Sequence, residues 1–238
     1  MLRDVLRLHP RLEAPEETHF YRWSYPFKSP RYRELYATNA ILKEHRELDG
    51  ISDGEFFTLY ELSRTRRDLQ DAYMRLYLEK VARPDARWFD KTPQNAVGMP
   101  LLLEDYPDAR FIHIHRHPLN VIASLKRGQV MRKHSVDAGI NFWLEYVRIA
   151  RSFVRSHPEC CIEVGYQEVV EKPHDVIGRI LEFVGEDPAL LDLGEFDFRN
   201  DPKSYRRRLS REEIVEIIVR CNALMGDYGY QPVLDRIL

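Results

Sequence analysis

The stretch Phe111-Ile112-His113-Ile114-His115-Arg116-His117-Pro118 reads FIHIHRHP. Aromatic and β-branched residues dominate its first half, and the segment from Ala109 to His115 suits a strand. Pro118 then stands where a helix starts, because its missing N–H would be an orphan donor in the first turn anyway. A strand that feeds a helix is the building unit of a parallel α/β layer. The three histidines at i, i+2 and i+4 raise a second possibility, a metal site, since His-x-His on a strand places two rings on one face. Such a site needs a further ligand close in space. No Asp or Glu follows at a matching offset and the third histidine lies beyond the strand, so no metal is expected. Arg116 is then the residue of this stretch with chemistry to offer.

Outward from it the same alternation continues. Trp88 to Asp90 and Cys160 to Val164 are strand candidates. Helices are predicted over about 95–106, from Pro118 onward, and over 136–156, 173–184 and 210–225, where apolar residues recur at helical spacing. Upstream, Leu2 to Leu8 suits a short helix and 13–30 a loop rich in proline and aromatics. One helix is predicted over 31–47 and another from the Ser52-Asp53 cap to about Arg83. Strands alternating with helices imply an α/β fold with a mostly parallel sheet flanked by helices. Such folds bind ligands where strand ends meet helix N-termini.

Composition narrows the classes of function. Of the 238 residues, 44% are hydrophobic and 31% charged, which fits an ordinary globular domain. Lys plus Arg is 36 and Asp plus Glu 38, so the balance of 36 − 38 = −2 gives no general affinity for nucleic acid. Any anion site has to be local. The cysteines, Cys160, Cys161 and Cys221, are few and odd in number, which points to a reducing compartment, taken here as the cytoplasm. No apolar run is long enough to span a membrane, and MLRDVLRLHPRL, with Asp4, is not the pattern of a secretory signal.

Four motifs carry chemistry. In HRHPLNVIAS, Arg116 lies at a strand end and Ser124 inside the following helix. A guanidinium fork, a hydroxyl and the free N–H groups of a helix start can together hold a phosphate; an arginine bridging strand and helix is the plainer alternative. In Phe89-Asp90-Lys91-Thr92-Pro93, Lys91 follows a short strand, and a solvated lysine is the plainer alternative. Pro15-Glu16-Glu17-Thr18-His19-Phe20 places two acids and a histidine in an aromatic loop, enough for a general base or for an ordinary polar loop. In Val164-Gly165-Tyr166-Gln167-Glu168, Tyr166 follows a strand, where its ring could stack on a base or simply pack.

Taken together and in this order, the four motifs resemble the sulfotransferase superfamily, in particular its bacterial and tyrosylprotein-sulfotransferase-like branches. The resemblance covers about residues 1–230. It implies a three-layer fold like that of the P-loop NTPases and one domain, 1–238. Within it, 20–85 would be a helical acceptor-side insertion, 86–185 the cofactor-binding core and 186–238 a C-terminal segment. It also implies transfer of a sulfuryl group from 3′-phosphoadenosine 5′-phosphosulfate (PAPS) to a hydroxyl or amine of a small molecule or peptide, leaving adenosine 3′,5′-bisphosphate (PAP). On that basis Arg116 and Ser124 bind the 3′-phosphate and Tyr166 contacts the adenine. Glu17 takes the acceptor's proton, and Lys91 stabilises charge on the leaving bridge. Arg206, in the basic stretch Lys203 to Arg208, belongs to a segment that closes over the cofactor.

Two departures stand out. The superfamily begins with a strand and a Gly-rich loop that cradles the 5′-phosphosulfate, and no such pattern occurs among the eleven glycines here. Leu2 to Pro10 resembles the tail of the helix that follows that loop, so the protein is expected to start roughly 15–20 residues earlier. Without those donors, each worth about 2.7–4 kcal/mol in the transition state, a PAP-binding protein without catalysis is the rival expectation. The second departure is His117 where the superfamily has Asp, a partial substitute as helix cap.

Overall fold

The computed structural model describes residues 1–22, 25–128, 135–198 and 203–231. Of the regions assigned above, residues 23 and 24 of the 20–85 segment, 129–134 of the 86–185 core, and 199–202 and 232–238 of the C-terminal segment lie outside the described residues. The chain divides into two compact units, Met1–Ala109 with Ile177–Phe196, and Arg110–Val176 with Asp197–Leu238.

The first unit contains α1 (Leu2–Leu6), β1 (Leu12–Glu13), α2 (Pro30–Thr38), α3 (Ala40–Leu48), α4 (Asp53–Leu62), α5 (Arg66–Lys80), β2 (Arg87–Trp88), a 3-10 helix (Pro93–Gly98) and α6 (Met99–Asp105). Strands β1 and β2 pair in parallel, Leu12 opposite Arg87 and Glu13 opposite Trp88. The single helix expected over 31–47 is two. Asn39 adopts an extended backbone and its side chain accepts from the Ile41 and Leu42 N–H groups, which ends one helix and caps the next. The helix expected from Ser52 to Arg83 is also two. Thr65 starts the second with a capping box to Asp68. Over 95–106 the first turn is 3-10 rather than α.

The core of this unit is aromatic, with Phe20, Tyr32, Tyr36, Phe56, Tyr60 and Tyr73 buried together. Burying a phenol leaves a hydroxyl that needs a partner. Two of these hydroxyls reach the backbone of the 15–20 loop: Tyr36 donates to the Thr18 carbonyl at 3.3 Å and Tyr32 to the Phe20 carbonyl at 3.1 Å. The loop is thereby fixed from beneath. At its far end the chain passes so close to Gly98 that a Cβ there would lie 2.3 Å from the Tyr21 carbonyl oxygen.

The second unit contains β3 (Phe111–His115), α7 (Pro118–Arg127), α8 (Val136–Ser156), β4 (Cys161–Gly165), α9 (Tyr166–Glu171), the start of α10 (Pro173–Val184), a 3-10 turn (Ser204–Arg207) and α11 (Arg211–Asp227). β3 and β4 are parallel and in register from Phe111↔Cys161 to His115↔Gly165. Among the described residues the strands thus form two separate two-stranded parallel sheets. The α/β reading and its parallel pairing hold. Helices α7, α8 and α11 meet over a core that includes Ile122, Ile140, Trp143, Ile217 and Cys221. α7 closes at Gly128, whose φ of 69° is the left-handed conformation of a helix C-cap.

Candidate active site

In the first unit two predicted residues meet. Lys91 Nζ donates to Glu17 Oε1, joining positions 74 residues apart. Glu17 is largely enclosed, its side chain 12% exposed, whereas Lys91 remains 41% exposed. Lys91 is thus at once ion-paired with Glu17 and partly solvated.

What holds it in place is a buried network around Asp90. Its carboxylate accepts from Thr18 Oγ1 at 2.6 Å, Thr92 Oγ1 at 2.8 Å and Asn95 Nδ2 at 3.0 Å. Burial nevertheless raises the Asp90 pKa above the ordinary carboxylate value, because desolvation outweighs the hydrogen bonds. Thr18 belongs to the loop that carries Glu17, and Asp90 and Thr92 flank Lys91. One carboxylate therefore ties both site-bearing segments together.

Two histidines lie beside Glu17. His19 has a left-handed backbone, φ 59°, and its Nε2 lies 3.5 Å from Glu17 Oε2. Its ring stacks on that of His45 from α3, with centroids 5.7 Å apart and planes 13° from parallel. His45 Nδ1 in turn is 3.0 Å from the Glu17 carbonyl oxygen. Burial, then the nearby Arg22, His45 and Lys91, pushes the His19 pKa down to about 3. The sequence pointed to His19 through its loop. It contained no signal for His45, whose role depends on the fold of α3.

In the second unit the structure brings Arg116 and Tyr166 together. The guanidinium carbon lies 4.1 Å from the centre of the Tyr166 ring, a cation–π stack. Tyr166 opens α9 directly at the end of β4. The Arg116 backbone is fixed from α8, where Trp143 Nε1 donates to its carbonyl at 3.1 Å. Ser124 is exposed on α7, about 9 Å along the helix axis from Pro118 at 1.5 Å per residue. Arg206 is exposed on the 3-10 turn, with Nε 3.4 Å from the Tyr205 hydroxyl. That turn is tied to α7 by Ser204 Oγ donating to Asn120 Oδ1 at 3.2 Å. Ser124 and Arg206 are each placed by their own element.

The histidines of the FIHIHRHP stretch have packing partners. His113 Nδ1 is 2.8 Å from Glu163 Oε1, which also accepts from the Tyr228 hydroxyl at 2.7 Å. His115 lies against the Tyr228 ring, centroids 4.1 Å apart, with its Nδ1 2.7 Å from the Tyr230 hydroxyl. Burial, with the neighbouring His113, lowers the His115 pKa to about 4. His117 caps α7, its Nδ1 accepting from Leu119 N–H at 3.3 Å. The strand histidines thus dock the Tyr228–Tyr230 segment beside Arg116. Among the described residues no group of three or more His, Cys, Asp or Glu is arranged to hold a metal ion.

Comparison with known proteins gives a consistent result. The model of a family described as "Sulfotransferase family" matches residues 1–189. An uncharacterized protein of Aquifex aeolicus (strain VF5) is 31% identical over 118 residues, covering 45% of this chain but only 15% of that protein. The chain therefore spans a small part of the length of that curated relative. Among solved structures, the sulfotransferase domain from the Synechococcus PCC 7002 olefin synthase matches with a TM-score of 0.60 at 20% identity, over 97% of this chain and 90% of that one. The sulfotransferase domain from the curacin biosynthetic pathway matches at 0.58 and 16%, over 96% and 94%. Sulfotransferase STF9 from Mycobacterium avium matches at 0.54 and 14%, over 97% and 74%. At these identities the likeness is one of fold.

Proposed function

The chain belongs to the sulfotransferase family, and we propose that within it this chain moves a sulfuryl group from PAPS to a hydroxyl or amine acceptor. The observation that carries the reading is the contact of Glu17 with Lys91, a proton acceptor and a cation held side by side by the Asp90 network. PAPS supplies the activated sulfuryl group. Glu17 removes the acceptor's proton, for which a carboxylate must lie within hydrogen-bond reach. Lys91 offsets the negative charge that develops as the group departs. Sulfuryl transfer, like phosphoryl transfer, asks a protein mainly for positioning and charge stabilisation.

The residues of the second unit fit the donor's nucleotide end. Arg116 and Ser124 hold the 3′-phosphate, Tyr166 contacts the adenine and Arg206 closes over the bound nucleotide. Supporting this is the Arg116–Tyr166 stack, a cation and an aromatic plate at the end of β4. The acceptor is a small molecule or a peptide. Three free, buried cysteines suit a reducing compartment, which supports a cytoplasmic location. Among the described residues no helix is long and apolar enough to cross a membrane.

The test is direct. PAP raises the melting temperature of the protein, and Arg116→Ala abolishes the rise. Absence of any rise in the unsubstituted protein overturns the cofactor reading. Radiolabelled PAPS offered with panels of hydroxyl and amine acceptors then identifies the substrate class.

A further inference from the structure

We propose that His19, braced by His45, is a positioning residue that aims the Glu17 carboxylate through a neutral Nε2–H. This inference rests on the reading of Glu17 as the base. Glu17 has one oxygen on Lys91 Nζ. Its other oxygen faces His19 Nε2 at 3.5 Å, longer than a normal hydrogen bond; catalytic contacts of this kind tighten when substrate binds.

The tautomer follows from the surroundings. His19 is buried, and among the described residues its Nδ1 has no hydrogen-bond partner. A proton on Nδ1 would bury an unsatisfied donor and would turn two lone pairs, Nε2 and Oε2, toward each other. A proton on Nε2 avoids both, leaving only an unpartnered acceptor. The ring is also kept uncharged by its burial and by the cationic groups nearby. That distinction matters for a base. A second cation beside Glu17 would hold the carboxylate and depress its basicity, whereas a neutral dipole fixes its direction at a smaller loss.

The local backbone is shaped for the contact. A left-handed conformation is uncommon outside glycine and persists only where the surroundings impose it. At His19 it is fixed by the residue's own N–H, 3.4 Å from Thr92 Oγ1, and by the stacked His45 ring. His45 also meets the Glu17 carbonyl, so a single side chain of α3 supports both the base and its positioning residue.

Two measurements test this, neither of which needs the acceptor. Imidazole nitrogen NMR of the unsubstituted protein near neutral pH is expected to show His19 protonated on Nε2; an Nδ1–H tautomer overturns the proposal. Carboxyl carbon NMR at neutral pH, assigned with Glu17→Gln, then compares the Glu17 carboxyl resonance of the unsubstituted protein with that of His19→Ala and His19→Gln. Loss of the donor moves the resonance in the alanine variant, and glutamine, which keeps an N–H at the same reach, restores it. An unchanged resonance in His19→Ala, or equal changes in both variants, overturns the proposal. The base reading fails separately, if Glu17→Gln leaves sulfuryl transfer intact while the resonances behave as described.

Discussion

Replacing His19 by Asn should flatten the acid side of the protein's stability profile. Asn tolerates the left-handed backbone that His19 adopts and has no proton to bind. In the native state the His19 pKa is pushed down from 6.5 to about 3. The unfolded chain therefore binds a proton that the native one refuses, and stability present above about pH 6.5 is lost as the pH falls toward 3. The slope is about 1.4 kcal/mol per pH unit. Between about pH 7.5 and pH 5 only the 1.5 units below 6.5 count, so the loss is about 2 kcal/mol. Asp49 works in the opposite direction, because burial raises its pKa to about 6. It is present in both proteins and cancels in their difference. Urea unfolding at the two pH values, extrapolated to water, should show the parent losing about 2 kcal/mol more than His19→Asn. A difference below about 0.5 kcal/mol would mean that His19 is charged or solvated in the native state, and would refute the reasoning.

Two further outcomes follow from the same geometry. Lys91→Met removes the cation on Glu17 and should lower sulfuryl transfer about 10²–10³-fold, with the PAP-induced thermal shift retained; loss of the shift instead would place Lys91 in nucleotide binding. Gly98→Ala would put a Cβ 2.3 Å from the Tyr21 carbonyl oxygen, and should destabilise by about 1–3 kcal/mol in urea unfolding; unaltered stability would show that the loop end yields freely.

How much of this was legible depends on where the information lies. β3, β4 and helices α7, α8, α10 and α11 follow from periodicity and from Pro118, because each is long enough to repeat its pattern. β1 is two residues long and has no period to read. Its existence depends on Arg87 and Trp88, far along the chain. The breaks at Asn39 and Thr65 were written in the sequence as cap residues. Uninterrupted hydrophobic spacing on either side hid them. Tertiary packing chose the cap over the continued helix.

The site divides along the same line. Glu17, Lys91, Arg116 and Tyr166 were legible as residue types in motifs, but their pairing was not, since Glu17–Lys91 and Arg116–Tyr166 each join different motifs. Asp90 read as part of a strand, and only the fold shows it binding Thr18 to the lysine turn. The histidines are the sharper case. Those in FIHIHRHP attracted a metal reading by spacing; in the fold His115 Nδ1 faces the Tyr230 hydroxyl and His113 Nδ1 faces Glu163. His19 and His45 lie 26 positions apart by number, 45 − 19, and stack beside the Glu17 carboxylate. Spacing along the chain reports which side chains share a strand face. Burial decides which of them stay neutral, and a neutral ring near a carboxylate is what positioning a base requires. In this protein that condition is met at His19, where the loop turns left-handed over a buried aromatic core.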